Sequence, residues 1–413
     1  IAFDSGLQEQ ELKKPVIIPE TDQPAFQPPV PAAIPADALD DIVDLLVRAR
    51  YPMIIGGRVG YVSTSTGQIR ELVELLGAAY REDRTFVTMP TLHPQNLTGS
   101  RKALDKADVV LALDCADVRW SVGGYGDNRD DYKRKDAKRQ KVIDLSMNEG
   151  ASRRWNRVGG PIADTTLQFM TGISQIIAAV KKRIRSDRAL AARFKARTAT
   201  LAKEKASLTR EQQAKLKARW DENPISPDRM VAELWAAVRK KPWYLTLRNH
   251  RSWPEGVWEF EGAGQYAGHS SGGGLGHGAG ASVDAASACR DDGRFPVGII
   301  GDGDFMMGSS AVWSAVHYKT PLLIVINNNT SWYNDEELQV KVAKHRGRAT
   351  ENAYIGTTTR DPDVDLAKVS EGYGAVVEGP VSEPGDLAEA FKRAVKVVED
   401  GGVSVVDVRT ASL

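Results

Sequence analysis

The chain has 413 residues, enough for two or three domains that each bury a core. Its 55 Lys and Arg against 54 Asp and Glu leave a net charge of +1, so no overall field draws it to nucleic acid or to a membrane surface. No apolar run nears the roughly 20 residues that cross a bilayer, and the two cysteines, Cys115 and Cys289, have neither disulfide nor metal-ligand spacing, as expected in the reducing cytoplasm.

In chain order, the opening residues 1–7 read as the end of a strand. Residues 15–35 hold seven prolines, which excludes regular helix and central strand. Residues 1–35 are therefore expected to be a linker leaving a preceding domain. From 36 to 180 helix and strand alternate, as in a doubly wound, Rossmann-like domain. The spacing of Leu39, Ile42, Val43 and Leu46 predicts an amphipathic helix over 37–48, and strands are expected at 52–55, 108–113 and 141–145. Gly56-Gly-Arg-Val-Gly60 follows the first strand, but the full dinucleotide fingerprint is absent.

Residues 181–220 carry fourteen Lys and Arg against three acids. Such a run could face an acidic partner such as coenzyme A, nucleic acid or a neighbouring subunit; the expectation is the solvated face of a helical linker over 181–225, resting one side (Leu190, Phe194, Leu201) on the protein. Ser226-Pro227-Asp228 then gives an N-cap, a proline at the first helical position and an acid in the first turn, which opens a new domain over 226–413. Strands are expected at 243–247, 296–300, 321–326, 374–377 and 403–408, with helices at 279–289, 305–318 and 387–398. The fold class is thus α/β, two doubly wound parallel-sheet domains joined by a helical linker.

The most informative stretch lies in the last domain. Gly301-Asp302-Gly303 ends one apolar run and Asn327-Asn328-Asn329 ends the next, with room between for a crossover helix. In such a sheet ligands bind beyond the carboxyl ends of the strands. A hard divalent cation takes oxygen donors, and Mg²⁺ usually takes one or two from protein and others from phosphate. The Asp302 carboxylate, an Asn amide oxygen and a backbone carbonyl just beyond meet that need. Gly303 lets backbone approach a phosphate closely, and the amides opening the next helix, around Asp304, favour anions.

These residues resemble the signature of the thiamine diphosphate enzymes of the acetolactate synthase and pyruvate decarboxylase type: Gly-Asp-Gly, a spacer, then Asn-Asn. The resemblance places metal ligands at Asp302, Asn329 and the Ser331 carbonyl, with Asn327 as a one-residue slip. It places Gly301, Gly303, Asp304 and Trp332 around the diphosphate. A second match is Ser270-Ser-Gly-Gly-Gly-Leu275-Gly-His-Gly-Ala-Gly280, similar to the family's Gly-rich loop. There Leu275 would prop the cofactor in its bent form, Gly273 would offer its carbonyl to the aminopyrimidine, and Gly276 would form the turn. The implied cofactors are thiamine diphosphate and Mg²⁺ (or Ca²⁺). The family's middle domain holds FAD, coenzyme A or nothing; here nothing is expected, FAD included.

The implied reaction is cleavage or formation of C–C bonds of a 2-oxo acid, in a dimer or tetramer, without nucleic acid or membrane. It calls for an activating Glu from a pyrimidine-binding domain, which maps onto no residue of this chain, so a separate polypeptide is expected to supply it. Candidates for proton transfer are Asp335, six residues past Asn329, and His269 and His277 beside the Gly-rich loop, although a charged first helical turn explains Asp335 equally well. Acyl-coenzyme A cleavage of the 2-hydroxyacyl or oxalyl type, a non-catalytic or regulatory cofactor-binding subunit, and a nucleotide-dependent oxidoreductase remain open alternatives.

Overall fold

A computed structural model describes residues 4–17, 19–23, 26, 33–61, 63–83, 86–122, 140–146, 165–167, 172–249, 253–268 and 274–412. Two five-stranded sheets, parallel throughout, organise them. The first has strand order β2-β1-β3-β4-β5, from Pro52–Gly56 (β1), Ala79–Glu82 (β2), Val109–Leu113 (β3), Lys141–Leu145 (β4) and Thr165–Leu167 (β5). The second has order β6-β7-β8-β10-β9, from Trp243–Asn249 (β6), Phe295–Gly301 (β7), Leu322–Asn328 (β8), Val376–Val381 (β9) and Val403–Arg409 (β10).

Helices cover both faces of each sheet, which is why β1, β3, β7 and β8 read as continuous apolar runs rather than alternating ones. On one face of the first sheet lie α1 (Ala36–Arg48), α2 (Ser63–Leu76) and α4 (Gly172–Ser186), burying Ile42, Leu46, Leu72 and Ile176; α3 (Arg101–Lys106) lies on the other with Leu104. One face of the second sheet takes α6 (Pro227–Val238) and α12 (Leu387–Glu399), through Leu234 and Phe391. Its other face takes α7 (His277–Asp292), α8 (Asp302–Gly308), α9 (Ala311–His317) and α11 (Leu366–Gly372). Among the described residues no helix is long and apolar enough to cross a membrane.

Between the sheets runs α5, Arg188–Ala218. It buries Phe194 and Leu201, two of the three expected contacts, while Leu190 is half-buried against the first core. Its basic residues are not all a solvated face. Arg197 Nη1 donates to the Ala49 carbonyl at 2.6 Å and Nη2 to that of Leu76, and Arg193 donates to Val47. These carbonyls end α1 and α2, so the guanidinium groups satisfy acceptors that a helix leaves open at its C-terminus. The Ser226 hydroxyl accepts the Arg229 N–H at 3.2 Å with Pro227 at the first helical position, as expected for the start of α6.

Three local expectations need correction. The crossover expected as one helix over 305–318 is two: α8 starts at Asp302 itself, and the chain breaks at Ser309-Ser310 before α9. At the end of α8, Gly308 lies so close to the Gly276 carbonyl that a Cβ there would collide with it. The strand expected at 374–377 lies at Val376–Val381. Ser5–Glu9, read as part of a strand end, is a short exposed helix capped by Asp4, which accepts the Gly6 N–H at 2.9 Å; residues 1–3 lie outside the described residues.

Candidate active site

Gly301 and Asn327 are paired neighbours at the carboxyl ends of β7 and β8. Immediately beyond them, the Ser331 N–H donates both to Asp302 Oδ2, at 3.0 Å, and to Asn329 Oδ1, at 3.1 Å. Two side-chain oxygens that share one amide hydrogen must lie side by side, and each keeps a lone pair for another partner. Asp302, Asn329 and Ser331 are all buried. Burial pushes the Asp302 carboxyl up to about 6, although backbone N–H groups of Gly303, Ser331 and Asp302 itself pull the other way. Few side chains carry formal charge here; among the described residues no group of three His, Cys, Asp or Glu forms a metal cluster. A site of one carboxylate, one amide and a backbone carbonyl is the donor set a cation sharing phosphate oxygens accepts.

The neighbouring asparagine has other work. Asn328 Nδ2 donates to Asp407 Oδ1 at 2.8 Å, and Asn328 Oδ1 accepts the Thr330 N–H at 3.2 Å. Asn327 Oδ1 is buried and has no hydrogen-bond partner among the described residues, while Asn329 is the asparagine whose oxygen joins Asp302.

Across the site, Asp304 Oδ1 accepts the Gly276 N–H at 2.6 Å and the Gly278 N–H at 3.4 Å. Gly276 has φ +87°, in the left-handed region open to glycine, and a Cβ on Gly278 would collide with the Asp304 carboxylate. This docks the turn bearing Leu275 onto α8. Leu275 is 45% exposed and Met307 beside the turn 61%, two apolar side chains left open to solvent next to Asp304 and its turn. His277 is exposed at the first position of α7. His269 and Gly273, with residues 270–272, lie outside the described residues.

The Trp332 indole packs on Gly303, where a Cβ would strike it, so the glycine serves this contact in the protein itself. The Trp332 backbone N–H donates to the Thr357 carbonyl at 2.7 Å, and Arg360 Nε donates to Thr330 Oγ1 at 2.6 Å. That second loop pins Thr330, a non-glycine residue at φ +58°. Asp335 is exposed in the first turn of α10 (Tyr333–His345), whereas the next residue, Glu336, accepts the Ser331 hydroxyl at 2.7 Å. Sequence reasoning missed Glu336, the Asp304 contacts and the 357–360 loop; the Ser331 and Glu336 pairing was detectable only as two polar residues five apart at a helix start.

This is the layout of a doubly wound α/β sheet with a polar cluster at the carboxyl ends of its strands. Residues 249–408 match the family described as thiamine pyrophosphate enzyme, C-terminal TPP binding domain. Sulfoacetaldehyde acetyltransferase of Roseovarius nubinhibens is 25% identical over 409 residues, covering 90% of this chain and 62% of that protein. The chain therefore spans less than two thirds of that relative. Two solved structures share the fold across almost the whole chain. One is the thiamine diphosphate-dependent 4-hydroxybenzoylformate decarboxylase of Rhodococcus jostii RHA1, with TM-score 0.65, 19% identity, and 98% of this chain on 67% of that one. The other is benzoylformate decarboxylase from Polynucleobacter necessarius, with TM-score 0.68, 17% identity, and 96% on 68%.

Proposed function

We propose that this chain is the diphosphate- and metal-binding part of a thiamine diphosphate enzyme that cleaves or forms the C–C bond beside the carbonyl of a 2-oxo acid. The observation that carries the reading is the convergence of Asp302 Oδ2 and Asn329 Oδ1 on the Ser331 N–H. In this reading Asp302, Asn329 and the Ser331 carbonyl hold Mg²⁺, and residues 226–413 form the functional domain. When bound, the cofactor supplies an electron sink for the carbanion chemistry, and protein supplies pose and electrostatics.

The chain's own residues then have distinct tasks. Gly301, Gly303, Asp304 and Trp332 shape the diphosphate pocket, Leu275 supports the bent cofactor, and Gly273 and Gly276 bring backbone close to it. Asp304 fixes that turn by its two accepted N–H groups. Proton transfer falls to Asp335, His269 or His277, with Glu336 holding the Ser331 hydroxyl. In this reading activation of the cofactor needs a Glu from a pyrimidine-binding domain, in a cytoplasmic dimer or tetramer. The similar proteins are named as an acetyltransferase and two decarboxylases, which supports a transferase or lyase.

The test is a screen of 2-oxo acids with the chain alone and with a polypeptide carrying the pyrimidine-binding domain. Carbon dioxide release or carboligation should require the pyrimidine-binding domain, thiamine diphosphate and Mg²⁺. Turnover by these 413 residues alone at an ordinary enzymatic rate would remove the need for that domain, and no turnover with any substrate in its presence would favour a regulatory role.

A further inference from the structure

Thr330 sits between Asn329 and Ser331, the two residues that meet Asp302 beyond the sheet, and its backbone is strained. Its φ of +58° lies in the left-handed region, which a β-branched residue adopts only at a cost and glycine adopts freely. The bend leaves the Ser331 N–H 3.1 Å from Asn329 Oδ1 while the same N–H reaches Asp302 Oδ2. A residue whose task ended with that bend would be glycine. Threonine keeps the strain and adds a hydroxyl.

Every polar atom of Thr330 has a partner. Its N–H donates to Asn328 Oδ1 at 3.2 Å, and the Asn328 amide is itself oriented by donating to Asp407 Oδ1 at 2.8 Å. Its carbonyl accepts the Thr359 N–H at 3.0 Å. Its hydroxyl donates to the Asn329 carbonyl at 2.7 Å and accepts from Arg360 Nε at 2.6 Å. Ser331 and Thr358 form an antiparallel bridge beside these bonds, so the 357–360 loop runs along the bend. Strained residues persist where their surroundings over-determine them, and they gather at ligand clamps. Backbone bonds to Thr357 and Thr359 already dock the loop. The bond from Arg360, an exposed side chain, goes instead to the hydroxyl whose other bond fixes the Asn329 carbonyl.

We propose that Thr330 and Arg360 are positioning residues of the metal site: the guanidinium, through the Thr330 hydroxyl, holds the strained bend that sets Asn329 Oδ1 and the Ser331 carbonyl for the cation. This rests on the reading of Asp302, Asn329 and Ser331 as the donors for Mg²⁺, and adds what keeps two of them in place. Neither positioning residue is itself a donor. Mg²⁺ demands near-ideal octahedral geometry, so donors that can swing serve it poorly. With the bond from Arg360 cut, the loop relaxes toward ordinary φ values, and binding must first restore the bend. Holding it in advance removes that ordering cost from the binding step.

The test is calorimetry on the 413-residue chain with thiamine diphosphate as the probe, reading the Mg²⁺ concentration that gives half-maximal cofactor binding. Melting curves of the metal-free proteins are recorded alongside. Arg360→Met and Thr330→Val should each raise that concentration about tenfold or more, as for loss of a group that orients a metal ligand. Thr330→Ser keeps the hydroxyl and should stay within about threefold of the wild type, and the double variant within about threefold of the poorer single one, because both changes cut one contact. Metal-free Arg360→Met should melt within about 2 °C of the wild type, since the side chain is exposed. A lowered melting temperature with unchanged Mg²⁺ dependence would mark a merely structural tie and overturn the proposal. So would effects that multiply in the double variant, or Thr330→Ser as weak as Thr330→Val; in each case the donor reading would stand. A wild type whose cofactor binding ignores Mg²⁺ would remove the donor reading, and the proposal with it. Should Thr330→Val fail to fold, Arg360→Met and Thr330→Ser decide the matter.

Discussion

Replacing Glu82 by Gln should make the protein relatively more stable as pH rises. Glu82 is 9% exposed, and burial pushes its carboxyl from 4.5 to about 8 in the folded chain. The unfolded chain releases this proton as pH passes the ordinary value, while the folded chain keeps it until about 8. Between those limits the folded state binds more protons, so wild-type stability falls with rising pH and levels off above the folded value. A gap of three to four pH units corresponds to roughly 5 kcal/mol between pH 4.5 and pH 8. Glutamine keeps the shape and an acceptor for the Thr88 N–H but never ionises. The difference in stability, variant minus wild type, should therefore grow with pH whatever its value at pH 4.5. A domain of this size shifts its melting temperature by roughly 2–4 °C per kcal/mol, so the gap should widen by about 10–20 °C. Melting curves of both proteins at half-unit pH intervals, followed by tryptophan fluorescence, read it directly. A gap that stays flat or narrows with pH would show that Glu82 is charged in the folded state and refute the buried-acid argument.

Other perturbations probe other joints. Gly303→Ala places a methyl group against the Trp332 indole and should cost about 1–3 kcal/mol by overpacking, measured by denaturant midpoint; an unchanged midpoint would mean that the indole moves aside freely. Asp304→Ala removes the acceptor for the Gly276 and Gly278 N–H groups and should speed amide exchange over 274–280 by an order of magnitude or more, in line with about 1–3 kcal/mol per buried group left unpaired. Arg197→Met leaves the Ala49 and Leu76 carbonyls without their guanidinium partner and should lower stability by about 1–3 kcal/mol, with faster exchange at the ends of α1 and α2. A neutral result there would return α5 to the role of a purely solvated connector.

What the sequence revealed follows from the range of each signal. Asp302 and Asn329 were legible because each ends an apolar strand within a few residues, and strand periodicity places those ends on one edge of the sheet. The Ser226 cap was legible because it acts over three residues. Less visible was α2 with β2, since Ser63-Thr-Ser-Thr-Gly-Gln opens the helix with residues that suit a loop as well. The break between α8 and α9 has no local mark beyond Gly308 and two serines. The arginines of α5 looked alike in composition; only the tertiary structure separates Arg197, which caps two helices, from its solvated neighbours. The tie between Thr330 and Arg360 spans 30 residues, with no motif to announce it.

The central claim is that Asp302 and Asn329 hold a cation that tethers a diphosphate, and titration calorimetry of thiamine diphosphate into the chain tests it most directly. With Mg²⁺ present, the wild type should bind one equivalent of the cofactor, and removal of Mg²⁺ or the change Asp302→Ala should each weaken binding by about tenfold or more, as for loss of a charged ligand to the metal. Binding that is indifferent both to Mg²⁺ and to Asp302, in a variant that melts like the wild type, would contradict the account.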